Sequence, residues 1–244
     1  MRTTRIYVEL GLEPGAEVLL PAAASTHLLR VLRLRPGAVL TLFNGHGGEY
    51  AAELVTADKA GARVRVGAAT LVERESPLAI SLLQGVARGE RMDFIVQKAT
   101  ELGVQRIVPL SCEFSVVRLD DAALRRRVAH WRTVAIAACE QSGRNRLPEL
   151  ESVTEFATAC TAGGDELKLM LVPQAPAALA VLAHGVRRAT LLVGPEGGLS
   201  GREQLLAQRN GFQACRLGPR ILRTETAPLA ALAALQALAG DLAT

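Results

Sequence analysis

The chain has 244 residues, of which 49% are hydrophobic and 21% charged, with a formal net charge of +4. That length and apolar content allow one large domain or a small domain beside a medium one, and they exclude a disordered chain. The charge is only mildly basic and arginine carries nearly all of it; this bias fits RNA, because the guanidinium makes bidentate phosphate contacts and stacks on bases, and it fits a GC-rich coding sequence equally well. Cys112, Cys139, Cys160 and Cys215 form no C-x-x-C pair and read as reduced thiols of a cytoplasmic protein. His27, His46, His130 and His184 lack metal-ligand spacing, so no metal is expected. The N-terminus has arginines but no apolar core of a signal peptide. The longest apolar stretch, 227–239, contains Pro228 and Gln236 and is too short to span a bilayer, so no membrane partner is expected.

In chain order, residues 1–72 read as short strands joined by turns, at 5–10, 17–20, 38–43, 49–55 and 62–72, with one helix over 22–32. Asn44-Gly45 and Gly47-Gly48 mark a tight hairpin turn between the third and fourth strands. Strands at this spacing predict a small β-barrel-like domain. The polar run 73–77 ends in Pro77 and marks the boundary, giving domains over 1–72 and 73–244. Beyond it strands and helices alternate: strands over 79–87, 105–110, 168–172, 190–193 and 213–217, and helices over 91–102 and 122–141, the latter with Asp120 or Asp121 as N-cap. Ser152-x-x-Glu155 and Ser200-x-x-Glu203 fit capping boxes and predict helix starts there. Such alternation predicts an α/β domain with a parallel sheet covered by helices on both faces. Ligands of such sheets sit beyond the carboxyl ends of the strands.

Two glycine-rich turns lie at such ends. One is Leu-Val-Gly-Pro-Glu-Gly-Gly-Leu-Ser over 192–200, the other Leu-Gly-Pro-Arg-Ile-Leu-Arg-Thr-Glu-Thr-Ala over 217–227. Gly194, Gly197 and Gly198 do not form G-x-G-x-x-G, and Lys59, Lys98 and Lys168 sit in no P-loop, which argues against a nucleotide polyphosphate. Gly197 and Gly198 read as positions of positive φ where main chain meets a ligand. A leucine-lined slot with backbone donors and acceptors suits a flat adenine ring, and the lack of clustered cations suits a sulfonium better than phosphates.

These residues carry a family resemblance. Gln97-Lys98-Ala99-Thr100-Glu101-Leu102-Gly103, Glu140-Gln141-Ser142-Gly143-Arg144, Gly194-Pro195-Glu196-Gly197-Gly198 and Leu217 to Ala227 closely resemble the RsmE family. Those are SPOUT-class methyltransferases that modify N3 of a uridine in 16S ribosomal RNA. The stretch from Arg30 to Tyr50 resembles that family's PUA-like RNA-binding domain, so the likeness spans the chain. The resemblance implies S-adenosyl-L-methionine as methyl donor, the small ribosomal subunit or its RNA as partner, a C-terminal SPOUT domain tied in a trefoil knot, an N-terminal PUA-like β-barrel and a homodimer. Donor, knot and dimer are implied by the resemblance alone. A SPOUT enzyme acting on ribose 2′-hydroxyls and a non-catalytic, RNA-binding assembly factor are the competing readings.

The expected site follows. Cofactor contacts are assigned to Leu171, Val193, Gly194, Pro195, Glu196, Gly197, Gly198, Leu217, Gly218, Ile221, Leu222 and Thr226. Arg223 and Glu225 are the catalytic candidates, although as a pair they also read as a loop-fixing ion pair; Glu196 reads as a ligand-orienting residue or as a cap for its own loop. RNA contacts are assigned to Arg2, Arg5, Arg30, Arg33 and Arg35 in the first domain and to Arg88, Arg91, Lys98 and Arg144 in the second. Lys98 and Glu101 also read as a mere surface pair one helical turn apart. Glu203 reads as a capping-box residue.

Overall fold

A computed structural model describes residues 4–115, 121–161, 167–183 and 185–242. Two compact units result: Met1–Glu75 with Cys139–Leu147, and Ser76–Ala138 with Pro148–Thr244.

The first unit is built on β1 (Thr4–Tyr7), β2 (Glu17–Leu19), β3 (Val39–Phe43), β4 (Glu49–Asp58) and β5 (Gly61–Thr70), with α1 (Ala22–Thr26) between β2 and β3. The sheet runs β1-β3-β4-β5-β2, with β1 parallel to β3 and the other pairs antiparallel. Alternate residues face inward, as a half-buried strand requires: Leu40 and Leu42 on β3, Ala52 and Leu54 on β4, and Ala62, Val64 and Val66 on β5 form one core with Leu28. Register shifts at Tyr50/Ala52 and Leu54/Thr56 bend the long β4–β5 ribbon. The helix expected over 22–32 is α-helical only to Thr26; His27–Val31 continues as a π-helical turn, after which Arg33 takes a φ of 54°, the one positive value at a non-glycine among the described residues.

The first unit is discontinuous because the loop after the long helix packs by polar contacts. Arg144 makes a fork to Glu75 at 3.0 and 2.5 Å, and Asn145 Nδ2 donates to the Val72 carbonyl at 2.8 Å. The Tyr7 amide donates to Glu140 Oε1 at 3.0 Å.

The second unit contains β6 (Ala79–Gly85), α2 (Glu90–Glu101), β7 (Arg106–Ser111), α3 (Asp121–Ser142, its last turn in the first unit), β8 (Glu149–Leu150), β9 (Thr154–Glu155), α4 (Phe156–Thr161), β10 (Leu167–Leu171), β11 (Ala177–Ala178), α5 (Leu179–Leu182), β12 (Arg188–Val193), α6 (Gly201–Arg209), β13 (Gln213–Arg216) and α7 (Thr226–Ala239). The sheet order is β11-β13-β10-β12-β6-β7-β8, with β9 also beside β7, and every pairing is parallel. Both faces are apolar because both are covered. Leu82, Leu169 and Leu191 face a core shared with Met92, Ile95 and Val96 of α2, Trp131 of α3 and Leu232 and Leu235 of α7. Their neighbours Leu83, Met170 and Leu192 point the other way, toward Phe156 and Cys160 of α4 and Ala207 of α6. Gln236, the one polar residue buried on α7, is bonded at both ends: Ser76 Oγ donates to its Oε1 at 2.6 Å, and its Nε2 donates to the Leu102 carbonyl at 2.9 Å.

Of the two expected capping boxes one forms. Ser200 Oγ accepts from the Glu203 amide at 3.2 Å while Glu203 Oε2 accepts from the Ser200 amide at 2.8 Å, starting α6. Ser152 starts no helix, because Glu155 is drawn into β9 opposite Ser111 and α4 begins only at Phe156. Asp120, one of the two N-cap residues considered for α3, lies outside the described residues. No helix among the described residues is long and apolar enough to cross a membrane.

Candidate functional site

β13, β10 and β12 are adjacent and parallel, so their carboxyl ends deliver three loops to one place. Between these loops and the first turn of α2 lies a cavity of about 580 Å³, the size of a small-molecule site. Its wall is formed by Leu171 at the end of β10 with Val172 to Gln174 after it, by Val193 at the end of β12 with Gly194 to Leu199 after it, and by Cys215 and Arg216 of β13 with Leu217 and Arg220 to Glu225 after it, together with Ala227 of α7, Gln204 of α6 and Arg91 of α2.

The loop after β12 is held from below and from the side. The Gly198 amide donates to the Pro195 carbonyl at 2.8 Å, closing a turn with Gly198 at a φ of 72°. Gly197 is not at positive φ, contrary to expectation; it is needed because a Cβ there would lie 2.8 Å from the Phe114 Cβ. Underneath, a Cβ on Gly85 at the end of β6 would come within 2.5 Å of the Pro195 nitrogen, so strand and loop touch through bare backbone. The neighbouring Gln84 Nε2 donates to the Gly85 carbonyl at 2.9 Å and, more weakly, to the Gly194 carbonyl at 3.4 Å. Thr224 Oγ1 donates to the same Gly194 carbonyl at 3.0 Å and joins the second glycine loop to the first.

Charge is concentrated at the α2 end of the cavity. Glu196 accepts from the Arg88 amide at 2.9 Å and from the Arg91 guanidinium at 2.7 Å. Burial alone would raise the Glu196 carboxyl, but these donors, its own amide included, outweigh burial and hold it below the usual carboxylate range. Arg91 Nε also faces Glu225 Oε2 at 3.6 Å. Arg223 does not pair with Glu225: its exposed guanidinium has no hydrogen-bond or ion-pair partner among the described residues. Glu196 thus binds outside its own turn as well as within it. Cys215 lines the cavity but burial pushes its thiol up to about 11, so it is no thiolate near neutral pH.

The cavity gathers most of the sequence-predicted cofactor residues: Leu171, Val193, Gly194, Pro195, Glu196, Gly197, Gly198, Leu217, Ile221 and Leu222, with Arg223 and Glu225 beside them. Gly218 and Thr226 are not on its wall. Gly218 has a φ of 73° with open space around it, and Thr226 forms the first turn of α7, its amide donating to the Arg223 carbonyl at 2.9 Å. The residues missed include the Val172-Pro173-Gln174 loop and Thr224, and Arg91, assigned to RNA from the sequence, lines the cavity. The loop was findable, since it follows a predicted strand whose carboxyl end must join its neighbours; the Thr224 bond links two loops and leaves no local signal.

A family model described as an RNA methyltransferase domain matches residues 74–236, and one described as an RNA methyltransferase PUA domain matches 20–67. The ribosomal RNA small subunit methyltransferase E of Buchnera aphidicola from Schizaphis graminum is 32% identical over 99% of this chain and 98% of its own length. The chain belongs to the RsmE family of RNA methyltransferases. The Bacillus subtilis member is 33% identical over 86% of this chain and 85% of its own. Among solved structures, a methyltransferase from Legionella pneumophila in complex with S-adenosylmethionine is 40% identical with a TM-score of 0.95, covering 99% of this chain and 100% of that one. The family member from Neisseria gonorrhoeae, also bound to S-adenosylmethionine, is 40% identical with a TM-score of 0.92 and the same coverage.

Within this RsmE member the arginines expected on RNA divide into two groups. Arg30, Arg33, Arg35 and Arg88 are exposed. Arg5 is not available: its side chain is 9% exposed, it pairs with Glu49, it donates to Asn145 Oδ1 at 2.5 Å, and its guanidinium lies 4.9 Å from the Phe43 ring centre. Arg144 is 3% exposed in its fork with Glu75. Both are corrected to building residues of the first unit, because polar groups buried this deeply need committed partners. Lys98 pairs with Glu101 at 2.8 Å, Arg91 belongs to the cavity, and Arg2 lies outside the described residues.

Proposed function

We propose that this protein transfers the methyl group of S-adenosyl-L-methionine to N3 of a uridine in 16S ribosomal RNA of the small subunit, in the cytoplasm. The reading is carried by the convergence of both glycine loops on one cavity in a member of a family whose relatives are named for small-subunit ribosomal RNA. The residues fit the donor. Backbone groups of Gly194 to Gly198 with Leu217 and Leu222 suit an adenine and its ribose, and the Glu196 carboxylate favours a cationic ligand. The donor supplies an electrophilic methyl on a positively charged sulfur.

Uridine N3 carries a proton at neutral pH, and its loss leaves negative charge spread over the two ring carbonyls. Arg223, on the cavity wall and unpaired among the described residues, is assigned to that charge, where a fixed cation lowers the barrier most. Holding the base in line with the methyl supplies the remainder of the advantage. Arg30, Arg33, Arg35 and Arg88 are assigned to the RNA backbone, and the half-buried side of α7 with Leu229 and Ala233, one turn apart, to a second copy of the chain. A trefoil knot in the second unit belongs to the same reading. Mass spectrometry of nucleosides from small-subunit RNA tests the function: N3-methyluridine should be absent from a deletion strain and restored by the gene. A methyl lost from a ribose instead would overturn it. Light scattering at micromolar concentration tests the dimer, and an active monomer would refute it.

A further inference from the structure

We infer that Glu225 takes the N3 proton from the target uridine and that Arg91 is the positioning residue holding its carboxylate. The inference rests on the reading of the reaction above and adds a proton acceptor to it. Glu225 occupies the N-cap position of α7, where a short polar side chain usually bonds the helix amides, yet its side chain makes no capping bond. Its Oε2 is sealed from solvent and has no hydrogen-bond partner among the described residues. Oε2 therefore faces the protein, and it is the exposed remainder of the carboxylate side chain, on the cavity wall, that a ligand meets. Arg91, the cation within ion-pair distance of Glu225 among the described residues, gives its short bond to Glu196 at 2.7 Å and reaches Glu225 only at 3.6 Å. Arg91 therefore fixes the direction of the Glu225 carboxylate without using up its acceptor capacity.

The side chain is 19% exposed, and since Oε2 is sealed that exposure belongs to its remaining atoms on the cavity wall. The step balances simply. The N3–H bond breaks and its proton goes to the carboxylate, while the nitrogen pair forms the new bond to the methyl carbon and the carbon–sulfur pair returns to sulfur. The charged groups lining the cavity with Glu225 are Arg91 on α2, Glu196 on the first glycine loop, Arg216 at the end of β13, and Arg220 and Arg223 on the second glycine loop, of which Arg216 is already bonded to the Ala175 and Pro176 carbonyls.

The test is single-turnover methylation by Glu225→Gln with saturating enzyme, between about pH 6 and 9, on small subunits carrying uridine or the more acidic 5-fluorouridine, beside calorimetry of S-adenosylmethionine binding. The rate should fall about a hundredfold near neutral pH, the size of a lost general base, with cofactor affinity within about threefold of wild type. It should rise about tenfold per pH unit, because the variant depends on pre-ionised N3, and the deficit should shrink on 5-fluorouridine. Arg91→Ala should lower the rate about tenfold, and Arg91→Lys, which keeps a cation beside Glu225, should restore part of it. A Glu225→Gln rate within twofold of wild type, an equal deficit on both RNAs, or a loss of cofactor affinity as large as the loss of rate would each overturn the role. Wild-type enzyme that makes no N3-methyluridine would overturn the reaction itself, before any variant is compared.

Discussion

Thr224 Oγ1 sits 3.0 Å from the Gly194 carbonyl oxygen, so one hydroxyl ties the loop after β13 to the loop after β12. Thr224 is 8% exposed, and its loss would leave that carbonyl, among the described residues, with the long 3.4 Å contact from Gln84. Thr224→Ala should therefore weaken S-adenosylmethionine binding by roughly fivefold to tenfold, the equivalent of one net hydrogen bond of about 1 kcal/mol. Thr224→Ser keeps the donor and should bind nearly as wild type. Titration calorimetry on both variants separates the bond from the methyl group.

Gly85 does not line the cavity, yet it supports it. An added Cβ would meet the Pro195 nitrogen at 2.5 Å, and backbone cannot swing aside as a flexible side chain does. Gly85→Ala should thus displace the first glycine loop and reduce cofactor affinity at least tenfold, as a misplacement of a fraction of an ångström does in a fitted site. Gly197→Val should do the same through Phe114, whereas Gly218→Val meets open space and should cost only the strain of positive φ, about 1 kcal/mol of stability. Equal affinity in Gly85→Ala and wild type would show that the loop is positioned by other contacts.

The β12–α6 and β13–α7 loops were legible in the sequence because glycine, proline and a capping box punctuate them locally. Their meeting was partly legible too, since parallel strands must end on one edge. Arg5 and Arg144 were misread for an equally physical reason: an arginine near a chain end or in a loop looks the same in sequence whether it faces phosphate or a buried Glu49 or Glu75. Only the long-range partner decides. Likewise, a Ser-x-x-Glu spacing cannot reveal that Ser111 on β7 will claim Glu155 for a strand. Arg91 joins Glu196 and Glu225 across 105 and more residues, a relation no local pattern carries.

Glu140 gives the first unit an unusual pH response. Burial raises its carboxyl, and the Tyr7 amide and the charges of His27 and Arg5 offset only part of that. A folded-state pKa above the unfolded one means that the native chain holds the proton more tightly. Its contribution is then fully favourable below the ordinary carboxylate range and is lost as pH rises through the raised value. Glu140→Gln keeps an oxygen for the Tyr7 amide and removes the buried charge. It should raise the thermal midpoint near pH 7 and leave it unchanged near about pH 4. A gain of the same size at both pH values would trace the effect to packing instead.

The two classes of arginine in the first unit should part under substitution. Arg144→Ala strands Glu75, whose side chain is 13% exposed, and should cost roughly 3 kcal/mol of stability, as breaking a buried pair does. Arg30→Ala and Arg35→Ala remove exposed charges, should leave the melting temperature nearly unchanged, and should lower RNA affinity while reducing the salt slope by about one each. Binding isotherms at two salt concentrations, set beside thermal melts, read both effects. A salt slope unmoved by both variants would take the RNA away from this surface.

Arg223 offers the separation of chemistry from grip. Its guanidinium stands on the cavity wall with no partner among the described residues, so removing it breaks no bond of the native loop, whose Arg223 carbonyl still accepts from the Thr226 and Ala227 amides. A charge that acts only as the N3 anion forms stabilises the transition state and not the ground state. Arg223→Ala should accordingly lower the single-turnover rate by about a hundredfold, a loss of roughly 2.7 kcal/mol in transition-state stabilisation, with cofactor and RNA affinities near wild type. Arg223→Lys keeps the charge as a point rather than a planar fork and should recover part of the rate. Methylation by Arg223→Ala at the wild-type rate would mean that the anion is met by another donor, for which Arg220, on the same wall, is the next candidate.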